Sequence, residues 1–140
     1  MVEETQPSVN DVIAVAEFRS ALRHFLRRSE KVARQSGLTP QRYTLLMMIK
    51  GAPSGEEQST VTELAERLQL AQSTVTELVR RAETAGLIER EQSQRDARVA
   101  HLRLTSEGER RLMLSFTALE TERAQLREAF ANLDGGVAGH

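Results

Sequence analysis

The sequence predicts a mainly helical α+β protein in which a small β-hairpin follows two short helices. Apolar residues recur at helical spacing towards both ends of the chain, two short amphipathic segments occupy residues 60–85, and residues 99–104 alternate between the two faces of a strand. The 140 residues are 39% hydrophobic and 28% charged, which is typical of a folded globular domain. We predict one domain at residues 11–133, preceded by a flexible arm at residues 1–10 and followed by a flexible tail at residues 134–140.

Two helices are predicted before the short amphipathic segments. The first, at residues 11–35, keeps apolar residues at a helical period and ends before Gly37. Thr39 and Pro40 then provide an N-cap and a first-turn proline, both of which favour the start of a helix. The apolar run Tyr43–Ile49 fits a buried helix or a strand by periodicity alone, and the cap favours the helix.

The two short amphipathic segments predict a helix-turn-helix. Thr60 precedes Glu63 by three residues, which is the spacing of a capping box at the start of a helix. After a short connection, the second helix runs from Gln72 to Ala85, and Gly86 suits the position just beyond its end. Two short helices joined by a tight turn are typical of this motif.

A β-hairpin is predicted directly after the helix-turn-helix. Two segments within residues 87–104 have the composition of short strands, and the residues between them are almost wholly polar. A hairpin in this position is a wing, so residues 39–105 are predicted as a winged helix-turn-helix. Thr105 can cap a last, long helix at residues 107–133.

Small polar and basic side chains line the second helix of this motif. A helix-turn-helix presents the N-terminal half of that helix to the major groove, where glutamine suits adenine edges and arginine suits guanine edges. Arg80 and Arg81, further along, are predicted to contact phosphates, which position a protein without reading sequence. Ser73 and Thr74 could instead satisfy free N–H groups at the helix start, and the whole surface could be an ordinary solvated face. The candidate DNA-binding residues on this helix are Gln72, Ser73, Thr74, Thr76, Arg80 and Arg81.

The predicted wing ends in a charged tip that contains Arg95, Asp96 and Arg98. An extended hairpin can place an arginine in the narrow, electronegative minor groove while the helix occupies the major groove. Asp96 would be repelled by phosphate unless it pairs with a nearby arginine and fixes its direction. We therefore add these three residues to the candidate DNA-binding surface, and a plain charged turn is the alternative.

The composition excludes several classes of function. The chain has no cysteine, which excludes disulfides, thiolate metal sites and cysteine nucleophiles, and its three histidines are scattered. No His/Asp/Glu group has metal-ligand spacing, and neither a nucleophile–base pair nor a phosphate-binding glycine-rich loop is evident. We therefore predict no metal, no cofactor and no enzymatic activity.

The longest apolar run, Leu45–Ile49, is too short to span a membrane and no signal-peptide pattern opens the chain, so we expect a cytoplasmic protein.

Five segments together resemble the MarR family of bacterial winged-helix transcription regulators. These segments are Val61–Leu68, Gln72–Arg81, Ala85–Arg90, Arg95–Arg98 and Leu104–Gly108. The resemblance covers the order of all predicted elements, and its most specific parts are the Gly-Leu-Ile boundary, the Asp-x-Arg wing tip and the Leu-Thr-x-x-Gly entry to the last helix. It implies a homodimer that binds a pseudo-palindromic operator, with residues 11–35 and 107–133 as dimerisation helices.

The resemblance also implies roles for single residues. Arg98 resembles the minor-groove arginine of the family, oriented by Asp96 through an arginine of the recognition helix. The first four candidate residues of that helix, at positions 72, 73, 74 and 76, stand where family members read bases.

Many MarR-like proteins bind small aromatic or acidic ligands between the dimerisation helices and the DNA-binding lobe, which implies a ligand-responsive repressor. The candidate lining residues are Leu22, Phe25, Tyr43 and Met47, with His24 or Arg23 as the anion partner. Ordinary core packing is the alternative for these apolar positions. The lack of cysteine excludes peroxide sensing by a thiol. The alternative function is a winged-helix protein-interaction module that no longer binds DNA.

Overall fold

The computed structural model describes residues 6–138, which form six helices and a two-stranded antiparallel sheet. In chain order the elements are α1 (Val9–Gln35), α2 (Pro40–Lys50), α3 (Val61–Leu68), α4 (Gln72–Thr84), β1 (Ile88–Gln92), β2 (Ala100–Leu104), α5 (Ser106–Ala118) and α6 (Glu120–Ala138). This order confirms the predicted mainly helical class with a β-hairpin wing. No helix within residues 6–138 combines the length and the apolar composition that a membrane span requires.

The chain divides into two compact units. One unit combines the described residues up to Val32 with those from Thr117 onwards, and the other comprises Ala33–Phe116. In the first unit α1 contacts α6, where the rings of Phe18 and Phe130 meet edge to face with their centroids 5.9 Å apart. Helices α1 and α6, far apart in the sequence, therefore contact each other, which the periodicity of either segment alone does not reveal.

The second unit, which contains the predicted winged helix-turn-helix, has its own hydrophobic core. The cap that favoured a helix at α2 is present, because Oγ1 of Thr39 accepts the N–H of Arg42 at 3.2 Å. Helices α2, α3 and α4, the residue before β1 and strand β2 all contribute fully buried side chains. These are Leu45, Leu46, Ile49, Leu64, Val75, Val79, Leu87 and Leu102. One shared core thus holds the wing and the helix-turn-helix together.

The hairpin gains a further rung from the loop before α3. Within the hairpin, Ile88 pairs with Leu104 and Gln92 pairs with Ala100. On the other edge of β2, the N–H of Ser59 donates to the carbonyl of Leu102 at 3.1 Å, and the N–H of Leu102 donates back at 2.8 Å. The end of the predicted loop is therefore tied to the sheet.

The helix-turn-helix begins with the predicted capping box. Oγ1 of Thr60 accepts the N–H of Glu63 at 3.1 Å, and the Glu63 carboxylate accepts the N–H of Thr60 at 2.9 Å. Two backbone donors at the start of α3 are satisfied in this way. Gln69, with φ of 57°, then ends α3 in the left-handed conformation and turns the chain towards α4.

Replacing Thr60 with alanine should lower the free energy of unfolding by about 1 kcal/mol, because it removes an N-cap and half of the capping box. Urea denaturation followed by circular dichroism measures the change. Thr121→Ala, at an exposed position of α6, is the control and should alter stability by only a few tenths of a kcal/mol. Equal effects of the two substitutions would contradict the role of the cap.

The first and last helices extend into the predicted arm and tail. α1 begins at Val9, inside the predicted arm, because Oγ of Ser8 accepts the N–H of Asp11 at 3.2 Å and the N–H of Ser8 donates to the Asp11 carboxylate at 2.9 Å. α6 extends to Ala138 and includes most of the predicted tail. The glycines in that tail cost a helix about 1 kcal/mol each relative to alanine but do not forbid helical backbone angles. Residues 1–5 of the predicted arm and residues 139–140 of the predicted tail lie outside the described residues.

The last helix is interrupted, whereas one continuous helix is predicted at residues 107–133. α5 ends at Ala118 and α6 begins at Glu120. Leu119, between them, is fully buried, and its carbonyl accepts the N–H of Arg123 at 2.8 Å. No proline or glycine stands at the interruption, which lies within three residues of the boundary between the two units. The interruption therefore reflects tertiary packing, and helical periodicity could not locate it.

Candidate nucleic-acid interface

The polar face predicted on the second helix of the helix-turn-helix lies at the protein surface. α4 turns one stripe, formed by Val75, Val79 and Ala82, into the core of the second unit. The six candidate residues of this helix are all exposed, and they are Gln72, Ser73, Thr74, Thr76, Arg80 and Arg81. Their side chains therefore reach solvent rather than the core.

The start of α4 carries little side-chain capping. Its N-cap residue, Ala71, has no side chain that could accept a hydrogen bond. Among the hydrogen bonds found within residues 6–138, the hydroxyls of Ser73 and Thr74 accept no backbone N–H, so the alternative in which these two residues satisfy the helix start is not observed. The amide of Gln72 donates to Oγ1 of Thr62 on α3 at 3.4 Å and so links the two helices of the motif.

Glu77 lies between the two arginines of this helix and was not predicted as a site residue. Nε and Nη2 of Arg80 donate to its two carboxylate oxygens at 3.0 and 2.5 Å, and Nε of Arg81 donates to Oε1 at 3.1 Å. The side-chain hydrogen bond from Arg80, followed by the one from Arg81, lowers the pKa of Glu77 below its ordinary value. The sequence signal was present, since an acid three and four residues before two arginines predicts such pairs on a helix.

The charged tip of the wing holds Arg98 by a direct contact with Asp96. Nε and Nη2 of Arg98 donate to the Asp96 carboxylate at 3.2 and 3.4 Å, and the backbone N–H of Arg98 donates to Oδ1 at 3.0 Å. The first cause of the lowered pKa of Asp96 is the side-chain bond from Arg98, and the second is its backbone bond. The side chain of Arg98 is 91% exposed, and Arg95 beside it is also exposed.

The contact between Asp96 and Arg98 is direct, without an arginine of the recognition helix between them. The family resemblance placed an arginine of the recognition helix between Asp96 and Arg98, but both arginines of that helix bind Glu77 instead. The tight turn brings Asp96 and Arg98, two residues apart, within hydrogen-bonding distance, so no third residue is needed.

A salt bridge joins the base of the wing to the recognition helix. Nε of Arg90 on β1 donates to both carboxylate oxygens of Glu83 on α4, at 2.9 and 3.0 Å. These residues are seven positions apart and were not predicted to interact. The pair ties the direction of the hairpin to the helix that precedes it.

The Leu-Thr-x-x-Gly segment fastens α5 to the start of the wing. Oγ1 of Thr105 donates to the carbonyl of Gly86 at 2.6 Å and accepts the N–H of Gly108 at 3.1 Å. The backbone N–H of Thr105 donates to the carbonyl of Leu87 at 3.0 Å. Gly86, with φ of 76°, provides the left-handed turn that ends α4. Gly86, Thr105 and Gly108 together thus fix the start of α5 against the start of the wing.

The structure divides the candidate effector-binding residues between the two units. Leu22 and Phe25 are half-buried in the first unit, and Phe25 lines a cleft of about 260 Å³ between α1 and α6 together with His24. Tyr43 is buried in the second unit, where Met47 is half-buried. Arg23, the other candidate anion partner, is exposed on α1. Among residues 6–138 no three His, Asp or Glu side chains are grouped so that they could hold a metal ion.

Comparison with known proteins relates this fold to one family. Residues 36–99 match the sequence profile of the MarR family. No curated protein is detectably similar in sequence.

Solved structures of similar fold agree with that match. A transcriptional regulator from Thermotoga maritima is 26% identical over 84% of this chain and 88% of its own, with a TM-score of 0.62. A mutant MarR from E. coli complexed with operator DNA is 17% identical over 96% and 98% of the two chains, with a TM-score of 0.68. A mutant MepR from S. aureus bound to an oligodeoxyribonucleotide is 20% identical over 87% and 94%, with a TM-score of 0.66. The fold is therefore that of the MarR winged-helix transcription regulators.

Proposed function

We infer that this chain, whose winged helix belongs to the MarR family, is a transcription regulator that binds a specific DNA sequence. One observation carries the proposal: the same compact unit presents an exposed polar helix face on α4 and a 91% exposed arginine at the tip of the wing. A helix of this kind fits the major groove, and an arginine on an extended hairpin fits the adjacent minor groove. The protein would act in the cytoplasm, where it can reach DNA.

The proposed roles follow from the chemistry and position of each side chain. Ser73, Thr74 and Thr76 would face base edges from the N-terminal half of α4, and Gln72 would do so from the position in which Thr62 holds it. The uncapped N–H groups of the first turn suit a phosphate, because a helix N-terminus attracts anions.

The basic residues outside that first turn would supply the remaining contacts. Arg81 and Arg95 would contact phosphates, which add affinity but no sequence information. Arg98 would enter the minor groove in the direction set by Asp96.

We propose that the active form is a homodimer built by α1 and the last helices. Val9, Val12, Ile13 and Phe130 of the first unit are large apolar residues with more than half of their surface exposed. A surface of this kind on a monomer is typical of an interaction site, and a two-fold arrangement would match a pseudo-palindromic operator. Each half-site would then meet one winged helix.

We propose further that the protein is a repressor and that a small aromatic or acidic effector weakens its binding to DNA. Within the first unit, Phe25 and His24 line the cleft of about 260 Å³ between α1 and α6 and are the residues that we propose for effector binding. An effector needs only different affinities for two arrangements of the recognition helices, and a coupling of 1–3 kcal/mol is typical of such systems.

The test is a fluorescence-anisotropy titration of the protein against duplexes selected from a random library and against the DNA upstream of its own gene. We expect saturable binding that exceeds binding to random DNA by at least about 1,000-fold, with half-sites about one helical turn apart. The logarithm of the affinity should fall linearly with the logarithm of the salt concentration, because each phosphate contact releases counterions. Effectors can be screened on the same signal.

The outcome that contradicts this proposal is weak binding that is equal for selected and random DNA. Combined with a selection that enriches no sequence, it would favour a winged-helix protein-interaction module that has lost DNA binding. The salt dependence separates the two functions, because a protein-interaction module has no phosphates to neutralise.

A further inference from the structure

We propose that Arg80 reads a guanine in the major groove and that Glu77 is the residue that orients it. This inference rests on the proposed DNA binding and changes the role of Arg80, which the sequence predicted as a phosphate contact. It names one base of each half-site and the pair of side chains that would recognise it.

The first support is the geometry of the Arg80–Glu77 contact. The carboxylate accepts from Nε and from Nη2, one hydrogen bond to each oxygen, at 3.0 and 2.5 Å. A guanidinium has five N–H donors, so this contact leaves Nη1 and the second N–H of Nη2 along its outer edge. Two parallel donors are what the O6 and N7 atoms of guanine accept from an arginine. The carboxylate therefore occupies one edge of Arg80 and leaves free the edge that suits guanine.

The second support is the place of the pair on the helix. Ser73, Glu77 and Arg80 lie on the side of α4 opposite the buried stripe of Val75 and Val79, and the side chain of Arg80 is 64% exposed. Long helical side chains point back over the preceding turn, and the contact with Glu77 shows that Arg80 does so here. Its guanidinium is thereby carried towards the N-terminal half of α4, which meets base edges in a helix-turn-helix.

The third support is the negative charge of Glu77, which attraction of the protein to DNA does not explain. Glu77 puts a carboxylate in the middle of the face that would meet the DNA, where it weakens attraction to phosphates. Together with Arg80 and Arg81 it leaves one net positive charge on the three side chains. Exposed ion pairs add little to stability, so stability does not explain this carboxylate either. Holding a guanidinium in one direction does explain it, because an ordered side chain loses less entropy on binding.

Arg81 also contacts Glu77 but makes fewer hydrogen bonds to it than Arg80 does. It therefore serves as the matched control. It makes one hydrogen bond to Glu77, through Nε at 3.1 Å, and its two terminal nitrogens take no part in that bond. A single bond does not fix the plane of the guanidinium, so we assign Arg81 to a phosphate.

The experiment compares Arg80→Lys, Glu77→Gln and Arg81→Lys in the full chain. A binding site is first selected from random duplexes with the wild-type protein. Each guanine of one half-site is then replaced by 7-deazaguanine, which lacks the N7 acceptor, and affinities are measured by fluorescence anisotropy. Melting temperatures verify that the three variants are folded.

We expect one guanine in the half-site whose replacement costs the wild type about 10-fold in affinity, within the range of a bidentate contact. Arg80→Lys should weaken this preference, because lysine keeps the charge and can still donate to guanine but lacks the planar pair of parallel donors. Glu77→Gln should reduce the preference while raising the affinity for random DNA, since a negative charge is removed. Arg81→Lys should keep the preference.

Two results would overturn the proposal, and they have different meanings. If the wild type prefers a sequence but Arg80→Lys and Glu77→Gln discriminate against 7-deazaguanine as strongly as it does, Arg80 is a phosphate contact and only this inference fails. If the wild type enriches no sequence at all, the proposed function fails together with the inference.

Discussion

Arg98→Ala should weaken binding to the selected operator by about 10- to 100-fold while leaving the melting temperature and the oligomeric state nearly unchanged. The affinity falls because the substitution removes a positive charge and several hydrogen-bond donors from the proposed minor-groove contact. Stability does not fall because the side chain is 91% exposed and its partner, Asp96, is a surface carboxylate two residues away. Fluorescence anisotropy, thermal denaturation and light scattering measure the three quantities.

Arg110→Ala is the control for the loss of one exposed, paired arginine. Arg110 binds Glu107 on α5 much as Arg98 binds Asp96, but it lies outside the wing and the recognition helix. We expect it to change operator affinity by less than about 3-fold, since only the general charge of the protein differs. If Arg98→Ala had no larger effect than Arg110→Ala, the wing would have no role in DNA binding.

Gly108→Ala should destabilise the protein by about 3 kcal/mol, which corresponds to a fall in melting temperature of roughly 10 °C. An alanine Cβ at this position would lie 2.1 Å from the carbonyl oxygen of Leu87. That carbonyl already accepts the N–H of Thr105, and the Thr105 hydroxyl holds Gly86 beside it. The neighbouring backbone therefore has little freedom to move away from the added atom.

The sign of this effect distinguishes the clash from ordinary helix propensity. In an unconstrained helix, glycine to alanine stabilises by about 1 kcal/mol. Ser106→Ala, at an exposed position in the same turn of α5, introduces an alanine without this contact and should have an effect below about 1 kcal/mol. A Gly108→Ala variant as stable as the wild type would contradict the close approach of α5 to Leu87.

Local patterns in the sequence determined most of the winged helix. Thr39 and the Thr60–Glu63 pair marked helix starts, and the predicted hydrogen bonds are present at both places. The alternation before Thr105 marked the second strand of the wing, which the structure confirms. Each of these signals involves residues within four positions of one another or a simple repeat, so the chain carries it without reference to the rest of the fold.

The candidate site could be predicted where its contacts join residues that are close in the sequence. The exposed polar face of α4 and the arginines of the wing tip followed from spacing alone. The Asp96–Arg98 contact and the Glu77 pairs were also within reach of the sequence, since they join residues two to four positions apart. Their exact partners were missed because several arginines compete for each acid, and only side-chain geometry decides between them.

Contacts between distant segments were decided by the tertiary structure alone. The Glu83–Arg90 bridge, the rung between Ser59 and Leu102 and the fit of Gly108 against Leu87 join residues seven to 43 positions apart. The interruption at Leu119 and the division into two units were likewise not evident from the sequence, where no proline or glycine stands at the interruption. The sequence shows which residues favour a helix or a strand. The contacts between distant segments form only when the chain packs, because packing determines which segments come close to each other.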